Sequence, residues 1–187
     1  MKDSSVDIQA ISAVIQQWLE NVVIGLNLCP FAASPHRNRQ IRIQVSTAQT
    51  QEALLKDLVA ELRRLDRCSP EELETTLLVT PILLTDFEDY NEFLGEVDEL
   101  LHQFGWEGEY QVASFHPHYQ FADTSSDDAG NLTNRSPYPI FHILREASIS
   151  KALASYPNPE TIPETNIQTV CQLSKHQIKE LFPFLSG

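Results

Sequence analysis

The chain has 187 residues, of which 42% are hydrophobic and 21% charged, which is ordinary for one globular domain. Its net charge of −13 is concentrated in residues 50–109, where sixteen acids accompany four bases, so the rest of the chain is almost neutral. Nucleic acids and anionic membrane surfaces bind basic surfaces, and the charge pattern therefore argues against both as partners.

The amino-terminal sequence and the cysteines predict a soluble protein of the cytoplasm. The start, MKDSSVDIQ, lacks the basic and apolar segments of a signal peptide. The longest apolar run, residues 22–28, is too short to span a membrane. Three widely spaced cysteines do not form a disulfide framework, so we expect free thiols in a reducing compartment. A homodimer is left open by the sequence.

Helical and strand patterns alternate through the first part of the chain. Apolar residues recurring near every 3.6 positions predict helices at 6–26, 50–66 and 86–104, and β-branched or alternating runs predict strands at 41–45, 75–79 and 110–115. Helices of this length usually connect parallel strands. We therefore expect a single α/β domain with a small, mainly parallel or mixed sheet of about three to five strands and flanking helices. Ligands bind such sheets beyond the carboxyl ends of the strands.

Beyond the third predicted strand the chain is dominated by a long polar segment, residues 116–139, which we call the site loop. So long a loop in a compact domain is typically a lid or a binding loop, and its aromatic residues favour an ordered structure. Helices are predicted from Pro139 to about Leu153, carrying His142, Arg145 and Glu146, and at about 163–182.

The pair His116 and His118 is the sharpest local signal. Residues i and i+2 of an extended segment point the same way, so both imidazoles could face one zinc-like divalent ion. Pro117 between them marks the end of a strand, and two histidines supply only two ligands. The alternative is that the histidines orient the loop or bind a substrate.

Cys29 follows the first predicted helix and precedes Pro30. It is either a small core residue at a tight corner or a reactive thiolate, which would need a cationic neighbour to lower its pKa. A Cys–Pro pair can also bind haem iron through sulfur, although such pairs are common by chance. Cys68 and Cys171 lie on helix edges and are interpreted as structural.

Two arginines near the site loop could bind an anion. Arg135 precedes a predicted helix start, and an arginine fork suits carboxylate or phosphate groups. The alternative for Arg135 is an ion pair with Asp127 or Asp128 that holds the loop closed. Those adjacent acids could act as acid and base, but neighbouring loop residues often point apart, so we expect a role for one of them at most.

Several long blocks of the sequence are similar to those of a known family. They are Val23–Ala32 (VIGLNLCPFA), Ser114–Ala122 (SFHPHYQFA), Asp127-Asp128, Asn134–Pro139 (NRSPYP), His142 with Leu144–Glu146, and Ile162–Asn166 (IPETN). Over about residues 10–170 the chain resembles an uncharacterised bacterial and plant family catalogued as domain of unknown function 1415. It departs from the family pattern at Thr165, where a basic residue is more usual. The resemblance implies no particular reaction, but the similar blocks contain the same candidate residues that were selected above for their chemistry.

The favoured hypothesis is an enzyme that acts on a small anionic metabolite at the carboxyl ends of the strands. Catalysis is assigned to Cys29, His116, His142 and Asp128, substrate binding to Arg135, Arg145, Asn134 and Tyr119, and any metal to His116 and His118. The alternative is a non-catalytic module that senses a ligand or haem, or that docks a partner protein. The enzymatic hypothesis requires these groups to meet in one cavity.

Overall fold

The computed structural model describes residues 6–186, beginning with the amphipathic helix α1 (Ile8–Trp18). The Asp7 side chain caps it by accepting a hydrogen bond from the Ala10 N–H, and the helix buries Ile11, Ile15 and Trp18. A π-helical turn, Leu19–Ile24, continues α1. The helix predicted at 6–26 is therefore present, with an irregular second half.

The next elements alternate as the sequence pattern predicts. Their bounds are α2 (Ala33–Arg37), β1 (Ile41–Val45), α3 (Gln51–Arg67), β2 (Thr75–Val79), α4 (Phe87–Gln103) and β3 (Tyr110–Phe115). Thr50 and Asp86 cap α3 and α4 by accepting backbone N–H bonds, which fixes where these helices start. Only the short α2 was not anticipated.

Residues 140–145 form a strand, not the beginning of a helix. This strand, β4 (Ile140–Arg145), precedes a shorter helix, α5 (Glu146–Ser155). The prediction of a helix from Pro139 to about Leu153 is wrong for its first half. Short apolar runs fit either structure, and here hydrogen bonds to strands on both sides decide the outcome.

The four strands form one mixed sheet in the order β1-β2-β4-β3. β1 and β2 are parallel, and β4 is antiparallel to both β2 and β3. β1, β2 and β3 consequently run in the same direction, with β4 inserted against them. The α/β class and the mixed form of the predicted sheet are confirmed, and the carboxyl ends of three strands lie at one edge.

The sheet separates two apolar clusters. On one face α3 and α4 pack around Leu58, Tyr90, Phe93 and Phe141. On the other face α1 and the carboxyl-terminal helices α6 (Ile162–Cys171) and α7 (Lys175–Leu181) contribute residues to a cluster that includes Trp18, Leu77, Ile140, Val170 and Phe182. We call these the α4 face and the α1 face. In the part of the chain that the structure describes, no helix is both long and apolar enough to cross a membrane.

The single helix expected at about 163–182 is divided into two. Gln172–Ser174 separate α6 from α7, and Ser174 starts α7 through a capping box with Gln177. The Ser174 side chain accepts the Gln177 N–H, and the Gln177 side chain accepts the Ser174 N–H. This local hydrogen bonding competes with a continuous helix and places Phe182 in the core of the α1 face.

Candidate functional site

The polar side chains of the site loop are used mainly to hold the loop itself. Asn131 is fully buried, and its Oδ1 accepts bonds from the Phe121 N–H at 3.0 Å and the Thr124 hydroxyl at 3.1 Å. Its Nδ2 donates to the Ser125 carbonyl at 2.8 Å. A short 3₁₀ helix, Ala129–Asn134, completes the segment. The loop is ordered, as expected, because its polar groups satisfy its backbone.

Asp128, the predicted acid or base, caps that 3₁₀ helix. Its Oδ1 accepts the Gly130 N–H at 2.7 Å. Asp127 accepts the Ser125 hydroxyl at 2.6 Å, and this bond lowers the pKa of its carboxyl. Each carboxylate therefore stabilises its own turn. The two carboxyls are bonded to different groups, and no hydrogen bond joins them.

His116 is a structural imidazole. It is fully buried, and its Nε2 donates to the Leu84 carbonyl at 3.0 Å, while Nδ1 accepts the His118 N–H at 3.0 Å. Its ring packs on Phe87 and Tyr90 of α4, with centroid distances of 5.3 and 5.1 Å. Burial lowers the pKa of His116 to about 4, so the ring is neutral at pH 7.

These contacts give no support to the predicted metal site at His116 and His118. A histidine ligand must offer a nitrogen lone pair to the metal. Neutral His116 has one such lone pair, on Nδ1, and it already accepts the His118 N–H. His118 is exposed, and its ring centroid lies 5.9 Å from that of His116. Among residues 6–186 no three His, Cys, Asp or Glu side chains are placed to hold an ion.

His142 lies in β4 and belongs to a different face of the sheet from the His116 imidazole, which packs on α4. Strand alternation places it on the α1 face, where Leu77 and Ala113 are its cross-strand neighbours and the Phe115 ring is 6.2 Å away. No hydrogen-bond partner of this imidazole occurs within the described chain, and burial lowers the pKa of His142 to about 4. Its apolar neighbours give no support to the predicted catalytic role.

Arg145 is at the opposite end of the sheet from the site loop. β4 pairs Ile140 with Phe115 and Arg145 with Tyr110, so the guanidinium belongs to the amino-terminal edge of β3. Its Nη2 is 2.8–3.1 Å from the carbonyl oxygens of Leu65, Cys68 and Leu73, and its Nε is buried without a partner. Arg145 thus holds the carboxyl-terminal end of α3 and the following turn, away from the site loop where the sequence places an anion.

Arg135 and Tyr119 also serve the loop. Arg135 donates from Nε to the Tyr119 carbonyl at 3.3 Å and from Nη2 to the Ser126 carbonyl at 2.5 Å. Its own carbonyl accepts the Trp18 indole N–H at 3.0 Å, which ties the loop to α1. The alternative, an ion pair of Arg135 with Asp127 or Asp128, is not formed in the described chain. The Tyr119 ring lies between Phe87 and Phe121, at centroid distances of 5.2 and 5.0 Å.

A cleft of about 380 Å³ lies next to Phe115, the last residue of β3. Two predicted site residues, Cys29 and Asn134, line it, and we call it the Cys29 cleft. Its other lining residues are Val23, Leu28, Phe115, Phe121, Thr133, Ile162, Pro163, Asn166 and Ile167. The cleft is thus at the carboxyl edge of the strands, where the sequence places a ligand site. Most of the residues that line it are not the predicted site residues.

Cys29 is held in the cleft wall by the turn after α1. The Val23 carbonyl accepts the N–H groups of Leu28 and Cys29, at 2.9 and 3.4 Å. Burial raises the pKa of the thiol, and hydrogen bonds from the N–H groups of Phe31 and Ala32 oppose that rise only in part. Cys29 is consequently a neutral thiol at pH 7.

Two asparagines fix the opposite walls of the cleft. Asn134 Nδ2 donates to the Ser114 carbonyl at 3.1 Å, and Asn166 Nδ2 donates to the Leu28 carbonyl at 2.6 Å. Asn166 thereby joins α6 directly to the Cys29 turn. The cleft is lined by apolar surface, one thiol, one hydroxyl and two amides, with no charged side chain. Such a lining can bind an uncharged or mainly apolar group, but it offers no base to activate the thiol.

Nine of the eleven lining residues were not among the predicted site residues; the two that were are Cys29 and Asn134. Seven of the nine fall in the blocks Val23–Ala32, Ser114–Ala122 and Ile162–Asn166, which the family resemblance had included, so those blocks were the available signal. Their side chains carry no ionisable group, and a search for chemically reactive residues passes over them.

Comparison with known proteins identifies a family but no characterised relative. The model of the family described as "Protein of unknown function (DUF1415)" matches residues 10–180. Neither a curated protein nor a solved structure matches the chain.

Proposed function

The chain belongs to the DUF1415 family, and we propose that this member is a non-catalytic module that binds a small, predominantly apolar molecule in the Cys29 cleft. One observation carries the proposal: the cleft has apolar walls with a few uncharged polar groups at fixed positions. Its volume of about 380 Å³ is near the lower end of the range of about 300–1,000 Å³ that is usual for small-molecule sites.

The positions of the ionisable residues support binding over catalysis. His116 and Arg145 are bonded to backbone groups, and His142 lies among apolar residues. The predicted nucleophile, base and anion-binding groups therefore do not share one cavity, which the enzymatic hypothesis requires. Binding of an apolar molecule requires only the apolar walls of the Cys29 cleft.

Haem is a poor match for the same cleft. Thiolate ligation of haem iron requires a deprotonated sulfur, whereas burial raises the pKa of Cys29. Haem also carries two carboxylates, and the lining offers no arginine, lysine or histidine to pair with them. Titration with hemin is accordingly expected to give the same spectrum for wild type and Cys29→Ala.

The proposal is tested by fluorescence titration with N-phenyl-1-naphthylamine, a neutral apolar dye that brightens when it leaves water. We expect saturable binding to the wild-type protein and at least about tenfold weaker binding to Ile167→Trp, because the larger side chain fills part of the cleft. Ile167 is 42% exposed, so the substitution does not disturb the core.

Ile8→Trp is the matched control. Ile8 is also an exposed isoleucine on a helix, at 46% exposure, and it does not line the cleft. Equal dye binding by both variants, or no saturable binding by the wild type, would show that the Cys29 cleft is not a ligand site.

A further inference from the structure

The segments that build the Cys29 cleft are strongly acidic. They are residues 19–31, 115–135 and 156–167, and together they contain six acids and one base. Outside residues 50–109 the whole chain has only ten acids, balanced by nine bases. The acids around the cleft thus stand out against a nearly neutral background, and they are separate from the acidic helices α3 and α4.

None of these acids lines the cleft, but each belongs to a segment that contributes to its walls. They are Glu20, Asp123, Asp127, Asp128, Glu160 and Glu164, all of them exposed. The one base, Arg135, directs its guanidinium at loop carbonyls. His36 contacts Glu20 at 3.1 Å and can offset that charge when protonated, but the other five acids make no ion pair within the described chain. An anionic ligand would therefore be repelled from this opening.

A local contact brings one of the acids, Asp128, close to the cleft wall. The position that a side chain would take at Gly130 is 3.0 Å from Asp128 Oδ1 and 3.6 Å from Ile167 Cγ2. Asp128 is therefore a near neighbour of a lining residue. Glu164 directly follows the lining residue Pro163 in the first turn of α6, and Glu160 precedes it by one 3₁₀ turn. These two acids are thus placed near the cleft by their positions in the chain.

Aromatic rings add a second feature that favours a cation. Phe115 and Phe121 line the cleft, and aromatic rings attract quaternary ammonium groups through the negative charge density of their faces.

We propose that the ligand of the Cys29 cleft is a cationic amphiphile, with an apolar body against the cleft walls and a quaternary or protonated amine at the acidic opening. This rests on the proposed function and specifies its ligand class. It reverses the expectation of an anionic ligand, because charge complementarity at the opening decides between the two.

The test displaces N-phenyl-1-naphthylamine from the cleft with three probes that share one alkyl chain: n-octyltrimethylammonium, n-octanol and n-octyl sulfate. At low salt the cation is expected to bind about tenfold more tightly than the alcohol, and the sulfate more weakly than the alcohol. The preference for the cation should decrease as salt is added, because exposed charges are screened.

Charge variants separate a local effect from the overall charge of the protein. Glu160→Gln/Glu164→Gln removes two charges at the opening, and Glu92→Gln/Glu96→Gln removes two exposed charges from α4. The first pair is expected to lower the preference for the cation several-fold, whereas the second leaves it near the wild-type value. Thermal unfolding of each variant confirms that the fold is intact.

The outcomes distinguish the two proposals. If the dye binds but the three probes bind alike, or if both charge variants act equally, the cationic ligand is refuted while the binding module stands. If the dye itself does not bind, the proposed function fails and the ligand class fails with it.

Discussion

The two faces of the sheet use their polar residues in different ways. On the α4 face, the fully buried Tyr90 donates its hydroxyl to the Ile140 carbonyl at 2.7 Å and accepts the Phe115 N–H at 3.2 Å. Glu61, also buried, accepts hydrogen bonds from Arg42 and Thr76. On the α1 face the packing leaves the Cys29 cleft beside the sheet. The α4 face is closed, whereas the α1 face keeps space for a ligand.

This difference explains why the ionisable residues were misleading as markers of a site. His116 packs on α4 and Arg145 fastens α3, so both belong to the closed structure. The open space is instead lined by aliphatic, aromatic and amide side chains. In this fold a high density of titratable groups indicates backbone that needs hydrogen-bond partners.

The largest expected effect is the loss of folding stability at low pH. It involves both faces of the sheet, through His116 and His142. Each has a pKa of about 4 in the folded protein, against about 6.5 in the unfolded chain. Above pH 6.5 neither state binds the proton. Between 6.5 and 4 only the unfolded state binds it, so stability falls, and below 4 the loss is complete. Each histidine contributes up to about 3 kcal/mol, somewhat less for half-buried His142.

Urea unfolding at pH 7, 6, 5 and 4 measures this loss. His142→Leu should remove part of the acid dependence with little cost at pH 7, because the His142 imidazole has apolar neighbours. His118→Leu, at an exposed position, should leave the profile unchanged. Identical profiles for the wild type and His142→Leu would contradict a neutral buried imidazole on the α1 face.

The second prediction concerns the hydrogen bonds by which Arg145 stabilises the α4 face. Arg145→Ala removes the donor of the Cys68 and Leu73 carbonyls and one of the two donors of the Leu65 carbonyl, which should lower the free energy of unfolding by about 3 kcal/mol. Chemical denaturation measures the change. Arg67 is an exposed arginine in the last turn of α3, the turn that Arg145 contacts. Arg67→Ala is expected to lower the free energy of unfolding by less than about 0.5 kcal/mol. A similar loss of stability in both variants would show that the effect comes from positive charge at the end of α3 and not from the hydrogen bonds of Arg145.

The third prediction concerns His116 and metal ions. His116→Ala removes the partner of the Leu84 carbonyl and of the His118 N–H, and we expect a loss of about 2 kcal/mol. Excess Zn²⁺ should not raise the melting temperature of the wild-type protein, since an ion bound at 100 times its Kd would add about 2.7 kcal/mol. A zinc-dependent rise that disappears in His116→Ala would restore the metal site.

The smallest effect is expected at the open face. Cys29 should react with iodoacetamide on the order of tenfold more slowly than exposed Cys171, because burial raises the pKa of the Cys29 thiol. Mass spectrometry after partial alkylation compares the two sites within one sample. Faster labelling of Cys29 would indicate an activated thiolate, and would return catalysis to consideration.

Much of the fold was predictable because its signals are local. The helices α3 and α4 carry long apolar stripes and begin at the capping residues Thr50 and Asp86. β4 was not predictable, because its six residues fit either structure and its partners, β2 and β3, are distant in the chain. The break before α7 could have been read from the capping box of Ser174 and Gln177.

The candidate site was predictable in position and only partly in composition. The carboxyl edge of the strands and the residues Cys29 and Asn134 were anticipated. Thr133 and Asn166 were not, because a cleft forms where packing stops, and that depends on how α6 meets the site loop. Residue chemistry alone does not report such a gap.

The π-helical turn Leu19–Ile24 has a consequence for how this protein tolerates deletions. It acts as a spacer of one extra residue between Trp18, which is fixed to the Arg135 carbonyl, and Cys29. Because the wider turn absorbs one extra residue, loss of a single residue there would restore ordinary α-helical spacing and leave the direction of the following chain nearly unchanged. The same deletion in a regular α-helix would rotate the following chain by about 100°. This turn is therefore the place before Cys29 where a one-residue deletion is expected to be tolerated.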